Sequence, residues 1–265
     1  MAHCTRIGIA ALTLLLAPSL LAAEPPVGAA TSVIPATSYT RNAKVATLEI
    51  NGAVEQNDRV KTSGKGSTQI KFVDSTTITI GPNSEVLLDK MIFDGDRARN
   101  ATVQLVRGAM RFASGVSDHN AYHIKTGVAV IGVRGTVIDV SYENNKTIYR
   151  TVEGEAQVCD VRNLCRDVRA GDPPIAVTLQ GIVLATAAEA ERLFRVLDVV
   201  TTALADQAKN VLQGAANIAE PPLTGVGKVV KGVDDTVHNI GKGVVKGIGQ
   251  MLGGAKPEEK TPAEK

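Results

Sequence analysis

From Lys44 onward, apolar and polar residues alternate in short runs: KVATLEI, STQIKFV, TTITI, SEVLL, ATVQLV, AMRFA, AYHIKT, VAVIGV, GTVIDVSY, KTIYRTV and EAQVC. A period of two residues is that of a strand with one buried face. Stretches such as GKGS, IGPNS, FDGDRARN and YENNK separate most of the runs and carry the Gly, Asn and Asp that tight turns require. The pattern predicts a mainly β domain over residues 44–184, built as a sandwich, a barrel or a β-solenoid. Without long helical stretches between the runs, a doubly wound α/β sheet is excluded. One run departs from simple alternation. In IKTGVAVIGVRGTVIDV, Val128, Val130 and Ile138 fall on one face and Ile131, Val133 and Val137 on the other. Such a strand is covered on both sides, or it turns a corner at a glycine.

After Leu184 the period changes. Leu193, Val196, Leu197, Val200, Leu204, Ala208, Val211 and Leu212 recur every three or four residues, which predicts an amphipathic helix from Ala187 to Leu212 within a segment 185–214. Thr186 and Glu189 have capping-box spacing, and Gly214 is the expected terminator. The apolar stripe is read as a docking face on the chain's own domain.

Residues 215–255 form a second, Gly-rich amphipathic pattern. Val229, Val233, Val237, Ile240, Val244 and Ile248 lie on one stripe, with Lys228, Lys231, Lys242 and Lys246 on other faces. Each glycine in a helix interior costs about 1 kcal/mol relative to alanine, so this tail needs an apolar host: a membrane surface, a partner groove or the β domain itself. Residues 256–265 are a charged, disordered end.

At the other terminus, Arg6, the apolar run IGIAALTLLL, Pro18 and the Leu-Ala-Ala before Glu24 read as an export signal over residues 1–23. Residues 24–43 are small, polar or Pro and suit an extended linker. The expected location is the periplasm or the exterior, with membrane association through the tail. Cysteine usage agrees with that compartment. Cys4 leaves with the signal, while Cys159 and Cys165 in VCDVRNLCRDV stand opposite each other about a Val161-Arg162-Asn163 turn. There is no CxxC pair, so a disulfide is favoured over zinc.

Composition narrows the function. With 29 basic and 27 acidic residues the formal charge is +2, which gives no reason to propose nucleic acid as a partner. Aromatics are 3% and Trp is absent, against a sugar cleft or a base-stacking platform. Asp118, His119 and His123 lie in a strand-like stretch, where positions four apart are roughly 13 Å from one another, too far to share a metal. Asp94, Asp96 and Asn100 lack the closing carboxylate of a calcium loop. Ser114 and Ser141 have no nucleophile elbow, and GKGS has no P-loop spacing. No catalytic residue, cofactor or small-molecule substrate is nominated.

Arg134 stands in an otherwise uncharged run with Gly132, Gly135 and Thr136 around it. A buried guanidinium needs carboxylate or carbonyl partners. It is read as a structural fork to carbonyls or to Asp74, Glu153 or Glu155, ahead of an anion clamp for a ligand.

Four segments, taken in order, resemble the FecR domain family of bacterial envelope proteins: NDRVKTSGKGSTQIKFVDSTTITIGPNSEVLLDK, VQLVRGAMRFASG, YHIKTGVAVIGVRGTVIDV and TVEGEAQV. The resemblance covers Lys44 to Val183 and implies a β domain similar to a short solenoid, in a family whose founding members transmit an iron-uptake signal. Signalling members carry a sigma-factor-binding segment and a transmembrane helix that are not recognised here, so the anti-sigma role is not carried over. Gly127-Val128 also replaces a Thr-Pro type of step. The resemblance implies a non-enzymatic binding or scaffold domain that engages an envelope protein or a membrane surface. The alternative is a periplasmic sensor for a separate transducer. A polysaccharide-processing enzyme is less favoured, because no carboxylate pair stands out.

Overall fold

The computed structural model describes residues 25–118 and 120–217. Within them lie 15 strands joined in one sheet, and one helix. The first part of the chain supplies β1 (Gly28–Ile34), β2 (Thr37–Arg41), β3 (Lys44–Thr47), β4 (Ala53–Val54), β5 (Arg59–Thr62), β6 (Ser67–Phe72) and β7 (Thr77–Ile80). The long strands β8 (Glu85–Asp94), β9 (Arg97–Ala113), β11 (Ala129–Glu143) and β12 (Lys146–Asp160) follow, with the short β10 (Tyr122–Lys125) between β9 and β11. The chain then forms β13 (Cys165–Arg169), β14 (Ile175–Thr178), β15 (Gly181–Leu184) and α1 (Ala187–Asn217).

Three of the long strands change neighbours halfway. Residues 97–107 of β9 pair with β8 and, in parallel, with β10, whereas residues 108–113 pair with β7 and β11. In β11 the ladder to β12 shifts between Arg134 and Val137, at Gly135, whose φ of 65° belongs to the left-handed region. The buried positions change parity at the same place. Ile131 and Val133 are buried before the shift, Ile138 and Val140 after it. The same switch occurs from Val103 and Leu105 to Met110 and Phe112 in β9, and from Tyr149 to Ala156 and Val158 in β12. A crease thus crosses the three strands, and residues from both sides of it meet in one hydrophobic cluster. The two-sided apolar pattern of Ile124–Val140 is that of a strand turning a corner. Val130, on the face away from the core, is 39% exposed.

The segment 24–43, expected to be a linker, instead contributes β1 and β2. Its small and β-branched residues fit a crowded sheet: β1 lies between β4 and β6, and Ala30 and Ser32 are fully buried. Arg41 anchors β2, donating from Nε and Nη2 to Asp58 at 2.7 and 2.6 Å and from Nη1 to Glu55 at 2.5 Å. A low-hydrophobicity stretch can be core when its hydroxyls and charges have partners.

The helix α1 runs on to Asn217, through Gly214. One glycine costs about 1 kcal/mol relative to alanine and need not end a helix. Its start has the expected capping box, with Glu189 accepting from Thr186 N at 3.0 Å and Glu189 N donating to Thr186 Oγ1 at 3.3 Å. The Lys146 ammonium at 2.8 Å, then Thr186, hold the Glu189 carboxyl at about 2, below its usual 4.5. A depressed carboxyl stabilises the fold above its unfolded value and ceases to do so as pH falls through the folded one. Helical circular dichroism should therefore be constant above pH 4.5 and decline toward pH 2, and Glu189→Gln should remove that step. No helix among the described residues is long and apolar enough to cross a membrane.

Candidate functional site

The outward face of the half-sheet beneath α1 is polar. The ladder register sets Ser32 opposite Gln69, Gln69 opposite Thr79, Thr79 opposite Arg111, Arg111 opposite Asp139, and Asp139 opposite Arg150. These residues form one row across β1, β6, β7, β9, β11 and β12. Each of the last three is flanked in sequence by core residues such as Met110 and Phe112, or Ile138 and Val140, so strand alternation turns it outward.

At the centre is a cluster of four charges. Arg111 donates from Nε to Asp139 Oδ1 at 2.7 Å and from Nη2 to Oδ2 at 3.0 Å. Arg150 reaches Oδ2 of the same carboxylate from Nε at 2.9 Å and Nη2 at 2.6 Å. The helix supplies the fourth member: Asp198 Oδ1 accepts from Arg111 Nη2 at 2.6 Å and lies 3.6 Å from Arg150 Nη2. The Phe194 ring, one turn earlier, stacks 3.6 Å from the Arg150 guanidinium carbon. Farther along, Leu204 O accepts from Ser32 Oγ at 3.0 Å, and the Gln207 amide exchanges two hydrogen bonds with the Val33 backbone.

Side-chain exposure is 3% for Arg111, zero for Asp139 and 38% for Asp198. Burial alone would make Arg111 easier to deprotonate, but Asp139 and then Asp198 more than reverse this and raise its pKa. Two guanidinium groups are held by two carboxylates, so the four charges satisfy one another. The apolar cluster between sheet and helix sets Ile148 and Ala176, with the partly buried Ala109, against Ala190, Leu193, Phe194 and Leu197.

The sequence-predicted site lies elsewhere. Arg134 stands opposite Glu155 in the ladder, and its side chain is outside the described residues. Two carboxylates considered for it have other partners: Glu155 accepts from Arg169 at 2.9 Å, and Asp74, 1% exposed, accepts from Thr76, Ser117 and Tyr122 at 2.6 to 3.1 Å. Among the described residues, a Cβ at Gly132 would meet nothing within 4 Å. Thr136 is 2% exposed. Its N donates to Ser114 Oγ at 2.7 Å, while its own Oγ1 has no hydrogen-bond partner among the described residues. No group of three metal-ligating side chains converges among the described residues. His119, the signal 1–23 and the tail residues Val229, Val233, Val237, Ile240, Val244 and Ile248 lie outside them.

Cys159 and Cys165 face each other in the β12–β13 ladder and are joined by a disulfide, with Cα atoms 4.0 Å apart. Asp160 holds the turn by accepting from Arg162 N at 2.9 Å and Leu164 N at 3.0 Å. Closing so short a loop stabilises by roughly 2.4 kcal/mol in the chain-entropy model. Replacing both cysteines with serine should lower the urea midpoint by a corresponding amount without changing the far-ultraviolet circular dichroism of the native state.

The family model described as FecR protein matches residues 58–157. No curated protein matches. Two crystal structures of a candidate anti-sigma factor from Parabacteroides distasonis, at 1.65 and 2.50 Å resolution, are similar at 16% and 14% identity with TM-scores of 0.39 and 0.40. In both cases 48% of this chain and 59% of the other is covered, so the chain spans about three-fifths of their length. The family match takes in Arg111, Asp139 and Arg150 and leaves out β1 to β4, β13 to β15 and α1 with Asp198. Residues 58–157 of this chain are a domain of the FecR family.

Proposed function

We propose that this chain is a non-enzymatic regulatory or scaffold protein of the bacterial envelope, in which a FecR domain engages a protein partner and the segment 215–255 attaches it to a membrane surface or to that partner. The observation that carries this reading is the FecR match over residues 58–157. Within that domain, Arg111, Asp139 and Arg150 bind one another rather than lining a reaction cleft. In this reading the creased sheet is a sandwich rather than a solenoid, residues 1–23 are removed on export, and the disulfide is made after export.

Fractionation of cells producing the full chain with a C-terminal tag tests the reading. Intact cells should protect the chain from added protease and spheroplasts should not. Deleting residues 225–253 should move it from the membrane fraction to the soluble periplasm. A cytosolic chain with both thiols free would overturn the proposal.

Arg134, with Gly132, Gly135 and Thr136, is proposed to stabilise the crease of β11. Arg134→Ala should lower the thermal midpoint and Arg134→Lys should restore only part, because one ammonium does not replace a planar fork. Unchanged stability with lost partner binding would make it a ligand clamp instead.

A further inference from the structure

We propose that the polar sheet face beneath α1 is a binding surface for amphipathic helices that carry a carboxylate, and that α1 occupies it as a displaceable intramolecular ligand. The interface is asymmetric. On the helix side Leu193, Phe194, Leu197, Val200 and Leu204 are buried, whereas on the sheet side the row from Ser32 to Arg150 is polar, with Ile148, Ala176 and Ala109 beside it as the apolar part of the face. A face built this way withstands exposure. Its backbone groups are satisfied by the ladder, and Arg111, Asp139 and Arg150 remain paired when the helix leaves.

What the helix takes away from this cluster is one negative charge, and at its start Glu189 leaves Lys146 as well. Without Asp198 the row holds two guanidinium groups and one carboxylate, so it keeps one uncompensated positive charge flanked by a small apolar recess. The ligand that fits has an aromatic residue for the Arg150 guanidinium and a carboxylate one turn later, as Phe194 and Asp198 provide. Three of the four charges lie in the FecR domain and the fourth lies outside it. The charged part of the surface therefore belongs to the domain, Ser32 and Ala176 extend it beyond residues 58–157, and α1 is its occupant in this chain. The inference does not depend on the location of the protein in the cell.

Hydrogen exchange on the wild-type full chain is the first arm of the test. Amides of α1 should exchange through an opening that leaves β9, β11 and β12 protected. The second arm adds a labelled peptide of residues 187–217 to the full chain and to its Asp198→Lys variant. Asp198 is 38% exposed, and the variant replaces attraction to Arg111 with repulsion. The peptide should bind the variant about tenfold more tightly than the wild type, whose own helix competes. A peptide with Asp198→Asn should bind severalfold more weakly. Exchange of α1 together with the sheet as one unit would overturn the proposal, whether or not the variant folds. So would a folded variant that fails to bind the peptide.

Discussion

Asp139→Ala is expected to lower the unfolding free energy by about 3–5 kcal/mol, the loss that follows when a buried ion pair is deprived of one partner. The single carboxylate serves both Arg111 and Arg150 through four contacts of 2.6 to 3.0 Å. Its removal leaves Arg111, with 3% exposure, held only by Asp198 at the rim and a long contact to Thr201. A guanidinium does not deprotonate to escape, so the desolvation cost stays in the folded state. Asp198→Ala should cost no more than about 1 kcal/mol, because that carboxylate is partly solvated and Asp139 remains. Urea unfolding of the two variants separates the cases. Equal losses would mean that the cluster is not organised around Asp139. Replacing Arg111, Asp139 and Arg150 together with leucine should be far milder than Asp139→Ala, since the pair's net contribution over apolar residues is small.

The presence of strands was legible wherever alternation was strong, and so were the helix start at Thr186 and the cysteine pair, all set by residues close in sequence. The crease was one of two readings the sequence left open, because Val133 and Ile138 cannot face one core along a straight strand unless both sides are covered. The first two strands were not: Thr31, Ser32, Thr37 and Ser38 resemble linker until Ser32 is seen to donate to Leu204, far away in the chain. The ion cluster escaped for the same reason. Arg134 drew attention as a lone charge in an apolar run, whereas Arg111 in AMRFA and Asp139 in VIDV look like ordinary outward positions. Only the register of β9, β11 and β12 sets them side by side, and only α1 makes their face an interior. Asp198 did leave a trace. It follows Phe194 by one turn and sits beside the apolar stripe of the helix, where a charge requires a partner.

Gly108→Ala is expected to cost about 2–4 kcal/mol, from a left-handed backbone and a close contact acting together. Gly108 has φ of 88°, and a Cβ there would lie 2.2 Å from Ser84 Oγ and 2.5 Å from Ser84 Cα. The second of these is a backbone atom that cannot rotate away. Ser84 is also pinned: its Oγ accepts from Ala109 N at 2.9 Å, and its N donates to Thr62 Oγ1 at 2.9 Å. Relief would have to come from β9 itself, at the point where it leaves β8 and begins to pair with β11. That is three residues before Arg111, so the strain would reach the ion cluster. Gly95 supplies the control. Its φ of 59° is also left-handed, but a Cβ there meets nothing within 4 Å among the described residues, and Gly95→Ala should cost about 1 kcal/mol. Urea unfolding followed by far-ultraviolet circular dichroism measures both. A Gly108→Ala loss no larger than that of Gly95→Ala would show that the crease relaxes around a methyl group, and that the contact with Ser84 does not fix where β9 bends.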